Sequence, residues 1–259
     1  GDTMRVPVHV FAPKGRGTRE DIPLVLLSGG VDTYKMELHR LALLLCKLGA
    51  FRVAAIDMPG TGETKGVLSA QSHEIYEGVL DALAPRTRVR RAVLGISFGG
   101  HWAAKLAMRE TVDCAIDIGG PVGYLPLDKN FLTNLPNGMT GIVANAMGFR
   151  ALPTPDEAAH MLEVFSLREQ LERKTSAPLI ALNGAGDPYI PQGETKVFGT
   201  MPNGRGWIFR DGDHCAANQL PRIVPYLIAW LRTMLHGNTA WNRTLEGVAT
   251  YALPARLAS

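Results

Sequence analysis

Short apolar runs separated by helical patterns are the feature that most constrains the fold of this 259-residue chain. The runs have the length of strands, and the segments between several of them place apolar residues at helical spacing. They include VHVFAP, PLVLLS, RVAAID, RAVLGI, DCAIDI, PLIALNG and GWIFRDG. Apolar strands that alternate with helices indicate a parallel sheet covered on both faces. The sequence therefore predicts a doubly wound α/β fold, whose sites lie at the carboxyl ends of the strands.

The chain length fits one domain, 1–259, with a substantial core. One segment, 121–175, interrupts the alternation with helical pieces, Pro and Gly breaks and no convincing strand. An insertion of this length between two strands predicts a helical lid. After His236 the residues 237–259 show no clear period, so they are described only as a C-terminal extension of unknown role.

Composition excludes several classes of function. A formal net charge of +3 is too small to indicate a nucleic-acid partner, and no apolar run approaches the ~18 residues of a membrane span. The chain opens on an alternating strand pattern rather than a signal peptide, and its three cysteines include no C-x-x-C pair. Both features predict a cytoplasmic location. The seven histidines are scattered, so no metal site is predicted; homo-oligomerisation stays open.

A serine between two glycines is the strongest chemical signal. Gly95, Ser97 and Gly99 fit the pattern G-x-S-x-G. Between a strand and a helix, this pattern is a nucleophile elbow that exposes the serine hydroxyl; elsewhere it is an ordinary glycine-rich loop. The apolar run RAVLGI precedes Ser97 and the helical pattern GGHWAAKLAM follows it. This context favours the elbow and predicts Ser97 as a catalytic nucleophile.

A serine nucleophile needs a base, and the base needs a carboxylate to orient it. In chain order these partners are expected as serine, acid, histidine. Asp187 follows the strand PLIALNG, and His214 follows the strand GWIFRDG, close to the last long helix. Taken alone, Asp187 reads as a turn former and His214 as a surface histidine. Together they are predicted to be catalytic; Asp213 is a poorer acid because it is the sequence neighbour of His214.

An oxyanion hole needs two backbone N–H donors. One is predicted at Phe98, the residue after the nucleophile. The second is predicted at Val31, in the loop GGVDTYK after the second strand, with Gly30 as the nearest alternative. A simpler interpretation of this loop is a helix start capped by Asp32 or Thr33.

The predicted lid is rich in apolar side chains, which helical spacing assigns first to the core of the lid itself. The surplus would line a pocket above Ser97 and favour an uncharged, fairly apolar small molecule as substrate. Tyr34 and Lys35 are candidates to contact a substrate oxygen. His101 and Cys215 are predicted to be packed residues, and Asp57 to fix the turn that follows it.

A dinucleotide-binding fold is the natural rival for an α/β chain. It requires G-x-G-x-x-G after the first strand, whereas GISFGG has a serine in place of the second glycine. GTGETKG also lacks the spacing of a phosphate-binding P-loop. No nucleotide or other organic cofactor is predicted.

Five segments carry a resemblance to a known family: LSGGVDTYKMEL, IDMPGTGET, GISFGG, GDPYIP and DGDH. They resemble the fermentation–respiration switch protein-like esterases of the α/β-hydrolase superfamily, over roughly Val6 to Leu235. The group is similar to fungal polyketide-shortening hydrolases and to a carbon–carbon bond hydrolase of nicotine breakdown. Members commonly carry an additional amino-terminal helical segment, so the resemblance leaves open whether the substrate cleft is complete within this chain.

The resemblance implies the α/β-hydrolase fold and a two-step acyl transfer without metal or cofactor. Ser97 would attack a carbonyl, His214 would act as base, and Asp187 would orient the imidazole. Because carbon–carbon bond cleavage of a β-diketone or polyketide uses the same triad, it stays an alternative to ester cleavage, as does transfer to an alcohol. Some members lack the nucleophile and are regarded as regulatory binding proteins; the presence of Ser97 argues against that alternative.

Overall fold

The computed structural model describes residues 5–15, 21–87, 89–123, 125, 129–174 and 176–257. Within these residues the chain forms a seven-stranded sheet of order β1-β3-β2-β4-β5-β6-β7. Only β1 is antiparallel to its neighbour; the remaining strands pair in parallel. The predicted mostly parallel sheet is confirmed. The strands are β1 Val8–Phe11, β2 Leu24–Ser28, β3 Arg52–Ile56, β4 Arg91–Ile96, β5 Cys114–Ile118, β6 Leu179–Gly184 and β7 Gly204–Phe209.

Helices cover both faces of the sheet, which explains why the central strands are apolar throughout. On β2, Leu24 and Leu26 point into one hydrophobic cluster and Val25 and Leu27 into the other, because successive strand residues face opposite sides. The helices outside the segment between β5 and β6 are α1 His39–Leu44, which continues as a π-helical turn Leu45–Gly49, α2 His73–Leu83, α3 Phe98–Met108, α8 Gln192–Lys196, α9 Leu220–His236 and α10 Ala240–Tyr251. Among the described residues, none of the helices is long and apolar enough to span a bilayer.

Between β5 and β6 all the regular structure that the described residues form is helical. This segment contains α4 Lys129–Thr133, a 3-10 turn Pro136–Gly138, α5 Met139–Ala146, α6 Pro155–Glu163 and α7 Arg168–Arg173. A capping box begins α6: Glu157 N–H donates to Thr154 Oγ1, and Thr154 N–H donates to Glu157 Oε2. These helices lie over the carboxyl end of the sheet, where apolar side chains of α4, α5 and α6 line the same cavity as Ser97.

The C-terminal residues, which carry no sequence signal, lie along the free edge of the sheet. Helix α10 packs on α9; beyond it, Arg210 N–H donates to the Ala255 carbonyl and Leu257 N–H to the Ile208 carbonyl, at 3.0 and 2.8 Å. The guanidinium of Arg256 lies 4.6 Å from the centre of the Trp207 ring. These contacts pair an edge strand whose backbone groups would otherwise be open to another chain.

Candidate active site

Ser97 occupies the junction of β4 and α3 in a strained backbone conformation, with φ of 54° and ψ of −129°. The two flanking glycines are required by close packing. A Cβ on Gly95 would collide with the Gly99 carbonyl, and a Cβ on Gly99 would collide with the carbonyls of Ser28 and Gly29. The turn therefore has the geometry of a nucleophile elbow, which presents the serine hydroxyl at the end of the sheet.

The structure brings Ser97, His214 and Asp187 into one hydrogen-bonded chain. His214 Nδ1 lies 2.7 Å from Asp187 Oδ2, and His214 Nε2 lies 3.0 Å from Ser97 Oγ. The Asp187 carboxylate is 1% exposed and also accepts the N–H groups of Tyr189 and Ile190. An ionised carboxylate at Nδ1 selects the tautomer with a proton on that nitrogen, so Nε2 accepts the Ser97 hydroxyl proton.

Asn183, which the sequence analysis overlooked, ties the acid loop to the histidine loop. It is fully buried at the end of β6, and its Nδ2 donates to Asp187 Oδ2 at 2.6 Å. Its Oδ1 accepts the N–H groups of Gly184 and Cys215 at 2.8 and 2.9 Å. Because Cys215 follows His214, one amide positions both the carboxylate and the backbone that carries the imidazole. The only sequence signal is a polar residue within an apolar strand.

The loop after β2 passes directly beside the nucleophile. A Cβ on Gly30 would lie 3.0 Å from Ser97 Cβ and 3.1 Å from its Oγ, so this approach requires glycine or a shift of the serine. Val31 and Phe98 are both buried and line the same cavity as Ser97. Their predicted role as oxyanion-hole donors stays a prediction, supported by this proximity.

The simpler interpretation of that loop as a capped helix start is wrong. Helix α1 begins at His39, its N-cap position is Leu38, and no side chain caps it. Asp32 and Thr33 instead lie in the turn that precedes the helix, so neither serves as its N-cap.

Lys35, a predicted substrate contact, is instead held in a buried ion pair. Its Nζ donates to Asp57 Oδ2 at 2.6 Å and to Glu63 Oε2 at 2.5 Å, and its N–H donates to Asp57 Oδ1 at 2.7 Å. The Glu63 N–H also donates to Asp57. Asp57 thus does more than fix its own turn: it joins the loops after β2 and β3. We call Lys35, Asp57 and Glu63 the Lys35 clamp.

The electrostatics of the clamp keep Lys35 and Asp57 charged. Burial disfavours both charges, but the hydrogen bonds and the opposite charge outweigh it. The pKa of Lys35 is therefore raised above its ordinary value and that of Asp57 is lowered. The ammonium group, only 2% exposed, is committed to the protein and does not face a substrate.

A narrow apolar cavity of about 60 Å³ lies above the nucleophile. Its walls come from the loop after β2, which carries the predicted Val31 donor and which we call the oxyanion loop, from the elbow, from the loops that carry Asp187 and His214, and from the helices between β5 and β6. The lining residues are Val31, Ser97, Phe98, Pro121, Leu132, Leu135, Met139, Val143, Leu162, Tyr189, Ile190 and His214. Larger hollows of about 520 and 600 Å³ lie beside β1 and between α1 and α9. Neither hollow is lined by Ser97, Asp187 or His214.

His101 lies behind the elbow and does not compete with His214 as a base. It is packed among Phe98, Trp102 and Phe165, and its Nδ1 lies 3.0 Å from the Pro121 carbonyl. Burial, assisted by the positive charge of Lys105, lowers its pKa to about 3. The imidazole is therefore neutral near pH 7, as expected for a packed histidine.

Two further titratable groups beside the site are also buried. Cys215 is 3% exposed, and burial raises the pKa of its thiol. Burial raises the pKa of Asp117 to about 8, against the lowering effect of the Gly120 N–H that donates to its carboxylate. Within the described part of the chain, no three His, Cys, Asp or Glu side chains come together as metal ligands.

Comparison with known proteins identifies relatives over most of the sheet. The family model described as FrsA-like esterase matches residues 7–208. Esterase FrsA of Vibrio cholerae is 26% identical over 198 residues, which cover 73% of this chain and 48% of that protein. The chain thus spans about half the length of the curated relatives that it matches.

Solved structures share the fold. The crystal structure of 2,6-dihydroxy-pseudo-oxynicotine hydrolase has a TM-score of 0.73 at 24% identity and covers 91% of this chain and 66% of its own. AbyA5 has a TM-score of 0.77 at 20% identity and covers 95% and 73%. These similarities establish the α/β-hydrolase fold.

Proposed function

Because the chain belongs to the FrsA-like esterase family, we propose that it is a serine hydrolase that cleaves an ester of a small molecule. The observation that carries the proposal is the hydrogen-bonded chain from Asp187 through His214 to Ser97 at a strained elbow. The apolar walls of the cavity at Ser97 favour an uncharged substrate whose reacting end is fairly apolar.

In the first step, Ser97 Oγ attacks the ester carbonyl carbon while its proton passes to His214 Nε2. The tetrahedral intermediate collapses as the bond to the alcohol oxygen breaks, and that oxygen takes the proton from His214. Asp187 holds the imidazole and stabilises the imidazolium. In the second step, His214 removes a proton from water, the resulting hydroxide attacks the acyl-enzyme, and the acid leaves as Ser97 recovers its proton.

Negative charge develops on the carbonyl oxygen in both steps. We assign its stabilisation to the backbone N–H groups of Phe98 and Val31, which belong to the elbow and to the loop that passes beside it. A single oxyanion donor contributes roughly 10²- to 10³-fold to kcat in enzymes of this kind. Backbone donors need no charged side chain, which fits an apolar cavity.

The helical segment 121–175 acts as a lid in this proposal. The cavity of about 60 Å³ is well below the roughly 300–1,000 Å³ of ligand pockets. A substrate therefore needs the helices to shift outward, and their return excludes water from the reacting groups.

Hydrolysis of p-nitrophenyl acetate and butyrate tests the proposal. Ser97→Ala is expected to lower kcat by roughly 10⁴- to 10⁶-fold with an unchanged melting temperature, since the methyl side chain fits the same turn. Ser69→Ala, at a serine outside the cavity lining, serves as the matched control and should retain activity. Near-wild-type turnover by Ser97→Ala would remove the proposed nucleophile; a folded wild-type protein without turnover would favour the binding-protein alternative.

A further inference from the structure

A second, more polar space opens beside the catalytic cavity. This cleft has a volume of about 590 Å³ and shares Val31 with the cavity at Ser97. Its walls are the oxyanion loop, the glycine-rich loop after β3 and helix α5, and its polar lining groups are Asp32, Tyr34, Thr61 and Asn145. We call it the polar cleft.

Helix α5 separates the two spaces. Met139 and Val143, four residues apart, face the cavity at Ser97, whereas Gly141 and Asn145, also four residues apart, face the polar cleft. This is the spacing of two faces of one helix. A molecule whose carbonyl lies at Ser97 therefore has two directions in which to extend, one apolar and one polar.

Three of the four polar side chains of the cleft are available to a ligand; the fourth, Thr61, donates its hydroxyl to the Met58 carbonyl. Among the described residues, the Tyr34 hydroxyl and the Asn145 side-chain amide have no hydrogen-bond partner, and Asp32 accepts only a 3.4 Å contact from Thr33. Asp32 and Asn145 are exposed and Tyr34 is 51% exposed. They are hydrated in the free protein and can exchange water for ligand hydroxyl or amide groups.

The charge of the cleft selects against anions. Of the residues that the structure describes, Asp32 is the one charged residue in its lining, and neither Lys nor Arg belongs to it. The positive charge of the nearby Lys35 ammonium is already paired with Asp57 and Glu63 in the clamp. A carboxylate or phosphate placed here would meet a carboxylate without a compensating cation.

The position of His214 assigns the two halves of the substrate. His214 lines the apolar cavity and not the polar cleft, and it must reach the leaving oxygen to protonate it. The alcohol half therefore lies in the apolar cavity. The acyl half extends past Val31 into the cleft.

Resting on the proposed function, we infer that the polar cleft binds the acyl half of the substrate, and that this half bears hydroxyl or amide groups and no negative charge. The substrate class is thus an ester between a polar, uncharged carboxylic acid and a small apolar alcohol. Asn145 is the specificity-determining residue of this cleft.

Four esters test the inference: N-acetylserine ethyl ester, ethyl hexanoate, monoethyl adipate and glyceryl monobutyrate. The first has a polar neutral acyl half, the second an apolar one and the third an anionic one, while the fourth reverses the two halves. We expect kcat/KM for N-acetylserine ethyl ester to exceed that for ethyl hexanoate by about tenfold, the value of one good hydrogen bond. Monoethyl adipate and glyceryl monobutyrate should both be poorer than N-acetylserine ethyl ester.

Asn145→Leu should remove most of this preference by lowering kcat/KM for N-acetylserine ethyl ester about tenfold, without lowering that for ethyl hexanoate. Asn238→Leu is the matched control, because Asn238 is an exposed asparagine that lies outside the segment 121–175 and lines neither space; it should leave both values unchanged. Equal rates for the esters, a preference for monoethyl adipate or glyceryl monobutyrate, or an unaltered preference in Asn145→Leu would overturn the inference while leaving the esterase proposal intact. If the wild-type protein hydrolyses p-nitrophenyl butyrate but none of the four, the inference fails and the esterase proposal stands; if it hydrolyses none of these five esters, both fail.

Discussion

At the scale of single residues, the site is built from side chains that already hydrogen-bond to one another within the protein. The imidazole of His214 contacts both the acid and the nucleophile before any substrate binds. Asn183 makes three hydrogen bonds: its side-chain amide donates to Asp187 and accepts the backbone N–H groups of Gly184 and Cys215. Such preorganisation means that the protein does not have to reorganise these groups during the reaction.

His101 supplies a prediction about stability and pH. Its pKa is about 3 in the folded protein because of burial and the charge of Lys105, against about 6.5 in the unfolded chain. As pH falls below 6.5, the unfolded chain takes up a proton that the folded protein excludes, so stability falls from pH 6.5 towards pH 3. At pH 5 this contribution amounts to about 2 kcal/mol.

His101→Gln tests this, because glutamine keeps an N–H donor for the Pro121 carbonyl and does not titrate. Urea unfolding at pH 7 and pH 5 should show a larger loss of stability for the wild-type protein than for the variant. Equal losses in the two proteins would mean that His101 is protonated in the folded state.

At the scale of elements, the site is assembled from loops at neighbouring strand ends. Strands β2 and β3 are adjacent in the sheet, so the loops that leave their carboxyl ends meet, and the Lys35 clamp joins them. Ser28 at the end of β2 pairs with Gly95 of β4 in register, which brings the oxyanion loop to the elbow. The clamp therefore fixes the loop that carries the predicted Val31 donor.

Lys35→Met tests two roles of the clamp, its contribution to stability and its positioning of the oxyanion loop. It leaves Asp57 buried without its cation, which costs about 3–5 kcal/mol for a buried pair, and it loosens the oxyanion loop. Adding Asp57→Asn removes the stranded charge and keeps one acceptor oxygen for the two backbone N–H groups, of Lys35 and Glu63, that donate to Asp57, so the double variant should regain part of the lost stability. Its kcat for p-nitrophenyl butyrate should stay reduced by up to about 10²-fold, the cost of a misplaced group, with a much smaller change in KM.

Urea unfolding and steady-state kinetics on the two variants provide the measurement, and an Arg109→Met variant at the more exposed Arg109–Glu77 pair provides the control. If the double variant regains both stability and kcat, the clamp serves stability alone and does not position the loop.

At the scale of the whole molecule, the features predicted from sequence are those that chain order encodes. Apolar runs predict the parallel sheet. The order of serine, acid and histidine, after the strands β4, β6 and β7, predicts three residues that the fold brings together. The Lys35–Asp57 pair and Asn183 escaped prediction because they depend on side-chain contacts between loops, which no periodicity reports. The C-terminal residues escaped as well, since an edge pairing such as that of Phe209 with Arg256 needs no regular pattern in the pairing segment.

The same scale explains how one site has two environments. The sheet positions the nucleophile, helix α5 divides the space above it, and only one side of that division is apolar. The division follows from the helical period of α5 rather than from any catalytic residue.

The account depends most on Ser97 being an activated nucleophile. The most direct measurement is the intact mass of the protein after treatment with a fluorophosphonate, followed by peptide mapping, on the wild-type protein and Ser97→Ala. The account predicts a single phosphonyl adduct on Ser97, formed as the serine oxygen displaces fluoride, and no adduct on Ser97→Ala. A folded wild-type protein that stays unmodified, or an adduct on a different residue, would contradict it.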